Sequence, residues 1–74
     1  PLVFVMAMPL PPTPPELLAN GVGAITTPDI RWKRCDIKST SLLGNVLAKT
    51  LAVDAGATEA ILLADGWLRE GSST

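Results

Sequence analysis

The stretch "LLGNVLAKTLAVDAGATEAILLADGWLRE", residues 42–70, decides the fold. Its first half carries Leu42, Leu43, Val46, Leu47 and Val53 within one broad face at about 100° per residue, the spacing of a helix with one apolar side. Ser39 or Thr40 can cap that helix, and Gly56 suits the left-handed position just past its end, so the pattern predicts a helix over 40–55. No Glu or Gln stands at the spacing of a capping box. "EAILLA", residues 59–64, then reads as a buried strand, and Asp65-Gly66 is a two-residue hairpin signal leading into a second strand over Trp67–Glu70. Strict alternation predicts Leu68 and Glu70 on one face of that strand, Trp67 and Arg69 on the other.

Upstream, "GVGAITT", residues 21–27, predicts a strand ended by Pro28 and Asp29. The apolar run "LVFVMAM", residues 2–8, predicts a further strand covered on both faces. Between them Pro11, Pro12, Pro14 and Pro15 cannot donate backbone hydrogen bonds, which predicts a stiff connector outside any sheet. The reading is therefore an α/β chain: strand, proline-rich linker, strand, helix and β-hairpin. It opens at Pro1 in mid-strand and stops after "EGSST", so the expectation is an internal fragment of a longer protein.

With 74 residues the chain can form one small domain at most. A hydrophobic fraction of 47% is high for that length, and a net charge of −1 supplies no basic field for nucleic acid. Cys35 is the single cysteine and histidine is absent, so neither an internal disulfide nor an ordinary His/Cys zinc site can form. A reducing, cytoplasmic setting is the expectation. The apolar opening is too short to span a bilayer and lacks the charged leader of a secretory signal.

Few residues could carry chemistry. Lys38 stands between a basic segment around Trp32 and the predicted helix; a lysine there is more often a solvated charge, although a helix entrance favours a nucleophilic amine. Glu70, taken alone, is a polar residue at the open end of a hairpin. "GSST", residues 71–74, offers close backbone approach and hydroxyl donors to an anion, or is simply a loop. Arg31, Lys33 and Arg34 would by default line a solvated edge.

Together, "DIRWKRCDIKSTSLLGNVLAK", residues 29–49, and "AGATEAILLADGWLREGSST", residues 55–74, resemble the class IV, pyridoxal-phosphate-dependent aminotransferases, most of all the D-amino-acid aminotransferases. The resemblance covers residues 20–74 and runs without a gap from Lys38 to Glu70. It implies that Lys38 condenses with the cofactor aldehyde and then moves a proton at the substrate α-carbon, work that suits an amine. It implies that Glu70 holds the pyridine nitrogen protonated, that Arg31 lies near the phenolic oxygen, and that Ser73 lies near the cofactor or its phosphate. By the same likeness residues 1–9 would be the last strand of an N-terminal domain, 10–15 an interdomain linker, and 16–74 the first part of a C-terminal cofactor-binding domain. The parent would move an amino group from an amino acid to a 2-oxo acid as a homodimer, and the 74 residues alone would be inactive. Branched-chain aminotransferases and aminodeoxychorismate lyases share the lysine and glutamate and are the rivals on the same fold. A non-catalytic α/β binding module is the rival from another class.

Overall fold

The computed structural model describes residues 1–74 and contains, in chain order, α1 (Pro15–Asn20), β1 (Ala24–Pro28), α2 (Leu43–Asp54), β2 (Glu59–Ala64) and β3 (Trp67–Gly71). The three strands form one sheet in the order β1-β2-β3; β1 runs parallel to β2, and β3 returns antiparallel. β1, α2 and β2 thus make a βαβ unit with a hairpin strand added, and the expected α/β character is present. No helix is long and apolar enough to cross a membrane.

β2 occupies the predicted residues because its apolar run is flanked by partners on both edges: Ile25 pairs with Ala60 and Thr27 with Leu62 on one side, Glu70 with Leu62 on the other. Asp65 and Gly66 have φ of 52° and 80°, the two left-handed residues of a type I′ turn. The hairpin departs from strict alternation. Leu62 stands opposite Glu70 and Leu63 opposite Leu68, so Arg69 is an extra residue and the register shifts at this point. Because Leu62 and Leu63 face opposite sides of β2, the bulge separates Leu68 from Glu70, and the expectation that they share a face is overturned.

α2 begins at Leu43 rather than at 40, and no side chain caps it. Ser39 does not cap the helix; its Oγ accepts the Ser41 amide at 3.3 Å, and the Thr40 carbonyl accepts the Leu42 amide at 2.9 Å, a local turn that holds these residues outside it. The far end is as expected. Gly56 has φ 76°, its amide donates to the Val53 carbonyl, and the Ala57 amide donates to the Ala52 carbonyl, the paired bonds of a Schellman cap.

The helix face that meets the sheet is not the Leu/Val face. Ala48 and Ala52 pack on Ala60 and Leu62, with Ile25 and Ala57 beside them, while Leu42, Leu43, Val46, Leu47 and Val53 stay exposed. Small alanines let the helix axis approach the sheet closely, and the bulky stripe points where this chain supplies nothing to cover it.

Residues 2–8 form no strand, and all of them are exposed. A doubly covered strand needs two covering layers as well as a ladder partner; residues 2–8 pair with neither open edge of this sheet, and α2 packs on only one of its faces. Thr13 and the prolines around it lie in no strand, as expected. The short helix α1 was not foreseen: Pro15 sits at its first turn, where a missing donor costs nothing, Glu16 follows, and Gly21 at φ 71° stops it. β1 consequently starts at Ala24, later than predicted, and extends through Pro28 at its end.

Candidate functional site

The loop leaving the carboxyl end of β1 carries Asp29, Arg31 and Lys38. Asp29 organises its first turn. Its carboxylate accepts the Arg31 amide at 2.9 Å, Nε at 2.9 Å and a terminal guanidinium nitrogen at 2.8 Å. This fork leaves the Asp29 and Arg31 side chains 5% and 10% exposed, and it holds the Asp29 carboxyl below the usual carboxylate range. The other guanidinium nitrogen pairs with Glu70 at the end of β3. Arg31 is held above its ordinary value, by Asp29 first and Glu70 second. Gly44, in the first turn of α2, makes room for this arginine, since a Cβ there would lie 3.0 Å from Arg31 Cγ.

Lys38 lies farther along, exposed and outside the helix, with Ser39–Leu42 between it and the first helical residue. Its side chain nevertheless lines the same hollows as Leu42 and Asn45 at the start of α2. Lys38 lies at the junction of two concavities. One, of about 180 Å³, it shares with Arg31, Trp32, Cys35 and Ile37. The other, an open groove of about 600 Å³, it shares with Asn45, Lys49 and Ser72–Thr74.

The Ser72–Ser73 wall of that groove is fastened to Glu59, which heads β2. Glu59 Oε1 accepts the Ala60 amide at 2.8 Å, the Ser72 amide at 3.1 Å and the Ser72 hydroxyl; Oε2 accepts the Ser73 amide at 3.1 Å and hydroxyl at 2.9 Å. These donors, the Ser72 hydroxyl foremost, hold the Glu59 carboxyl far below its ordinary value. Asn45 Nδ2 donates to the Ser72 carbonyl at 2.9 Å, tying the same turn to α2.

Of the four residues singled out by sequence, Arg31 and Glu70 are in direct contact, and Lys38 and Ser73 line one groove. Lys38 lines a hollow with Arg31, which pairs with Glu70, but it forms no ion pair with Glu70 itself. Ser73 donates both its amide and its hydroxyl proton to Glu59. Asp29 and Glu59 were missed as organising residues. A signal existed for each: Asp29 follows a strand-ending proline two residues before an arginine, and Glu59 is a carboxylate opening an apolar strand.

No protein-family model matches the chain. Among curated proteins it is similar to the D-alanine aminotransferase of Bacillus licheniformis, 58% identical over 55 residues, which are 74% of this chain and 19% of that protein. It is 59% identical over 61 residues to the Staphylococcus epidermidis D-alanine aminotransferase and 56% identical over 61 residues to that of Staphylococcus aureus, in each case 82% of this chain and 22% of the relative. A match of 61 residues, wherever it lies in the 74, includes residues 14–61, and with them Arg31, Lys38 and Glu59. The chain spans about a fifth of the length of the curated relatives it matches. Over most of its own length the chain is thus similar to D-alanine aminotransferases.

Proposed function

We propose that the chain is the lysine-bearing part of a pyridoxal-phosphate-dependent aminotransferase that moves an amino group from a D-amino acid to a 2-oxo acid. The observation that carries this reading is the likeness to D-alanine aminotransferases through the segment holding Lys38, joined to the contact of Arg31 with Glu70 and the hollow that Arg31 shares with Lys38. The donor set fits the cofactor: an amine for an aldehyde, a guanidinium for a phenolate, and a carboxylate for a ring nitrogen. When bound, the cofactor supplies an electron-accepting ring that stabilises a carbanion at the substrate α-carbon.

The chain's own residues divide the work. Lys38 would be the amine that holds the cofactor aldehyde and, when the substrate amine takes its place there, would take and return the proton at the substrate α-carbon. Glu70 would keep a proton on the ring nitrogen, and its half-exposed carboxylate pairs with Arg31. Arg31, held by Asp29, offers its guanidinium to the phenolic oxygen. The Ser72–Thr74 turn walls the groove beside Lys38, and Ser73, whose proton goes to Glu59, is assigned to the wall rather than to a phosphate contact. On the family resemblance, residues 1–9 end an N-terminal domain, 10–15 link it to the rest, and the parent is a cytoplasmic homodimer.

Borohydride reduction of the full-length parent with pyridoxal phosphate, followed by peptide mapping, tests the assignment. The label is expected on Lys38. Lys33 lies in the basic loop, and the Lys49 amine donates to the Thr58 carbonyl; label on either, with Lys38 unmodified, would overturn the reading.

A further inference from the structure

Glu59 is the most thoroughly satisfied carboxylate in the molecule, yet the reaction outlined above gives it no task. It is 8% exposed, takes part in no ion pair, and its two oxygens accept five protein hydrogen bonds. Four of those come from Ser72 and Ser73, thirteen and fourteen residues away in sequence. A carboxylate taken out of water with no cation beside it is costly unless such donors replace its hydration. The arrangement therefore ties the start of β2 tightly to the turn that follows β3.

That turn begins one residue after Glu70. Gly71 is the joint between them, and its backbone lies so close to the anchor that a Cβ would come within 3.1 Å of Glu59 Oε2 and 2.3 Å of Thr74 Oγ1. Ser72 is further held through its carbonyl by Asn45, and its amide also donates to the Ala60 carbonyl at 2.9 Å. Glu70 itself follows a bulge, where the ladder is irregular and fixes side-chain direction less firmly. With the ladder irregular before Glu70 and its carboxylate paired with Arg31, the anchor after it holds the backbone from which the carboxylate extends.

We propose that Glu59 is a positioning residue of the aminotransferase site: by holding the Gly71–Ser73 turn it sets both the direction of Glu70 and the groove wall beside Lys38. It touches neither cofactor nor substrate. The inference rests on the function proposed above, in that Glu70 is taken as the partner of the ring nitrogen.

The test uses the full-length parent and its Glu59→Gln and Glu59→Ala variants. Gln keeps one carbonyl oxygen for the Ala60 and Ser72 donors but turns an amide NH₂ toward the Ser73 amide; Ala removes all five acceptances. Cofactor affinity by equilibrium dialysis should weaken on the order of tenfold or more in Glu59→Ala, by analogy with the loss of other supporting-shell partners, and less in Glu59→Gln. The midpoint of the bound cofactor's absorbance change with pH should shift in the same order, because Glu70 no longer meets the ring nitrogen squarely. Amide hydrogen exchange at Ser72 and Ser73 should speed up in both variants. A merely structural role would lower the melting temperature and leave affinity and the absorbance midpoint as in the wild type, which overturns the proposal. If Glu59→Ala does not fold, Glu59→Gln and Ser73→Ala carry the same readouts. A wild-type parent that binds no pyridoxal phosphate refutes the proposed function and, with it, the positioning of Glu70 for a ring nitrogen. Wild-type cofactor binding with unaltered variants refutes the positioning role alone.

Discussion

Asp29 shows how much of the site rests on one residue that is assigned no chemistry. Its carboxylate uses both oxygens on Arg31 and takes the arginine's amide as well, which fixes the guanidinium before Glu70 meets it. Asn in its place offers a single acceptor oxygen. Hydrogen bonds to charged groups contribute about 1.5–3 kcal/mol each, so Asp29→Asn in the full-length parent should lose roughly that amount at pH 7. The pH dependence follows from the direction of the shift. A carboxyl held below its unfolded value stabilises the fold fully above about pH 4 and progressively less as pH falls through the unfolded and then the folded value. The deficit of Asp29→Asn in urea unfolding should therefore be largest at neutral pH and shrink below about pH 4. An equal deficit at pH 3 and pH 7 would show that the ionised fork is not what Asp29 contributes. The exposed Arg34–Asp36 pair is a contrast of the same type, 64% exposed on both sides, and such pairs contribute little.

At the scale of elements, the parts specified by neighbouring residues were legible. The left-handed turn at Asp65-Gly66 and the cap at Gly56 each depend on a few consecutive residues, and both stand where the pattern put them. A Cβ at Gly56 would meet no atom within 4 Å, so Gly56→Ala isolates backbone strain from packing. At φ 76° an alanine should cost about 1–2 kcal/mol, and Gly56→Asn less, since asparagine tolerates that region. Thermal unfolding of both variants measures this, and an alanine variant as stable as the wild type would remove the Schellman cap from the account. What depended on distant chain was not legible. The bulge at Arg69, the choice of Ala48 and Ala52 as the buried face, and the attachment of Ser72 and Ser73 to Glu59 are each decided by what packs against the element. The same holds for residues 2–8, whose apolar pattern registers a strand's environment that these 74 residues do not provide. For the site, family likeness singled out Arg31 and Glu70, which are in contact, and Lys38 and Ser73, which line one groove, whereas Asp29 and Glu59 act through hydrogen bonds whose partners the local signal at each does not specify.

The whole molecule exposes far more surface than its length warrants. A compact monomer of 74 residues would present about 4,300 Å² and have a radius of gyration near 11 Å; the observed values are 6,404 Å² and 15.0 Å. The buried apolar core is only Ala48, Ala52, Ala60 and Leu62, three of them too small to release much apolar area. Against it stand Leu43, Val46, Leu47, Leu51 and Val53 along α2, Leu63 and Leu68 on the sheet face opposite the helix, and the apolar residues of 2–8, all exposed. Each buried apolar Å² is worth about 25 cal/mol, so covering a few hundred Å² of these faces would contribute several kcal/mol, comparable to the whole stability of a small domain. The free edges of β1 and β3 add unpaired backbone groups beside that surface. The 74 residues in isolation should therefore self-associate or lose fixed packing at tens of micromolar. Light scattering after size exclusion should report species heavier than a monomer, or an expanded chain that binds a hydrophobic dye. Replacing Val46 and Leu47 on the uncovered helix face by lysine and glutamate should reduce the association while leaving the Ala48–Leu62 contact intact. A sharp monomer peak with one cooperative melting transition at high concentration would show instead that this small alanine-rich core suffices, and that the exposed faces need no covering for the chain to fold.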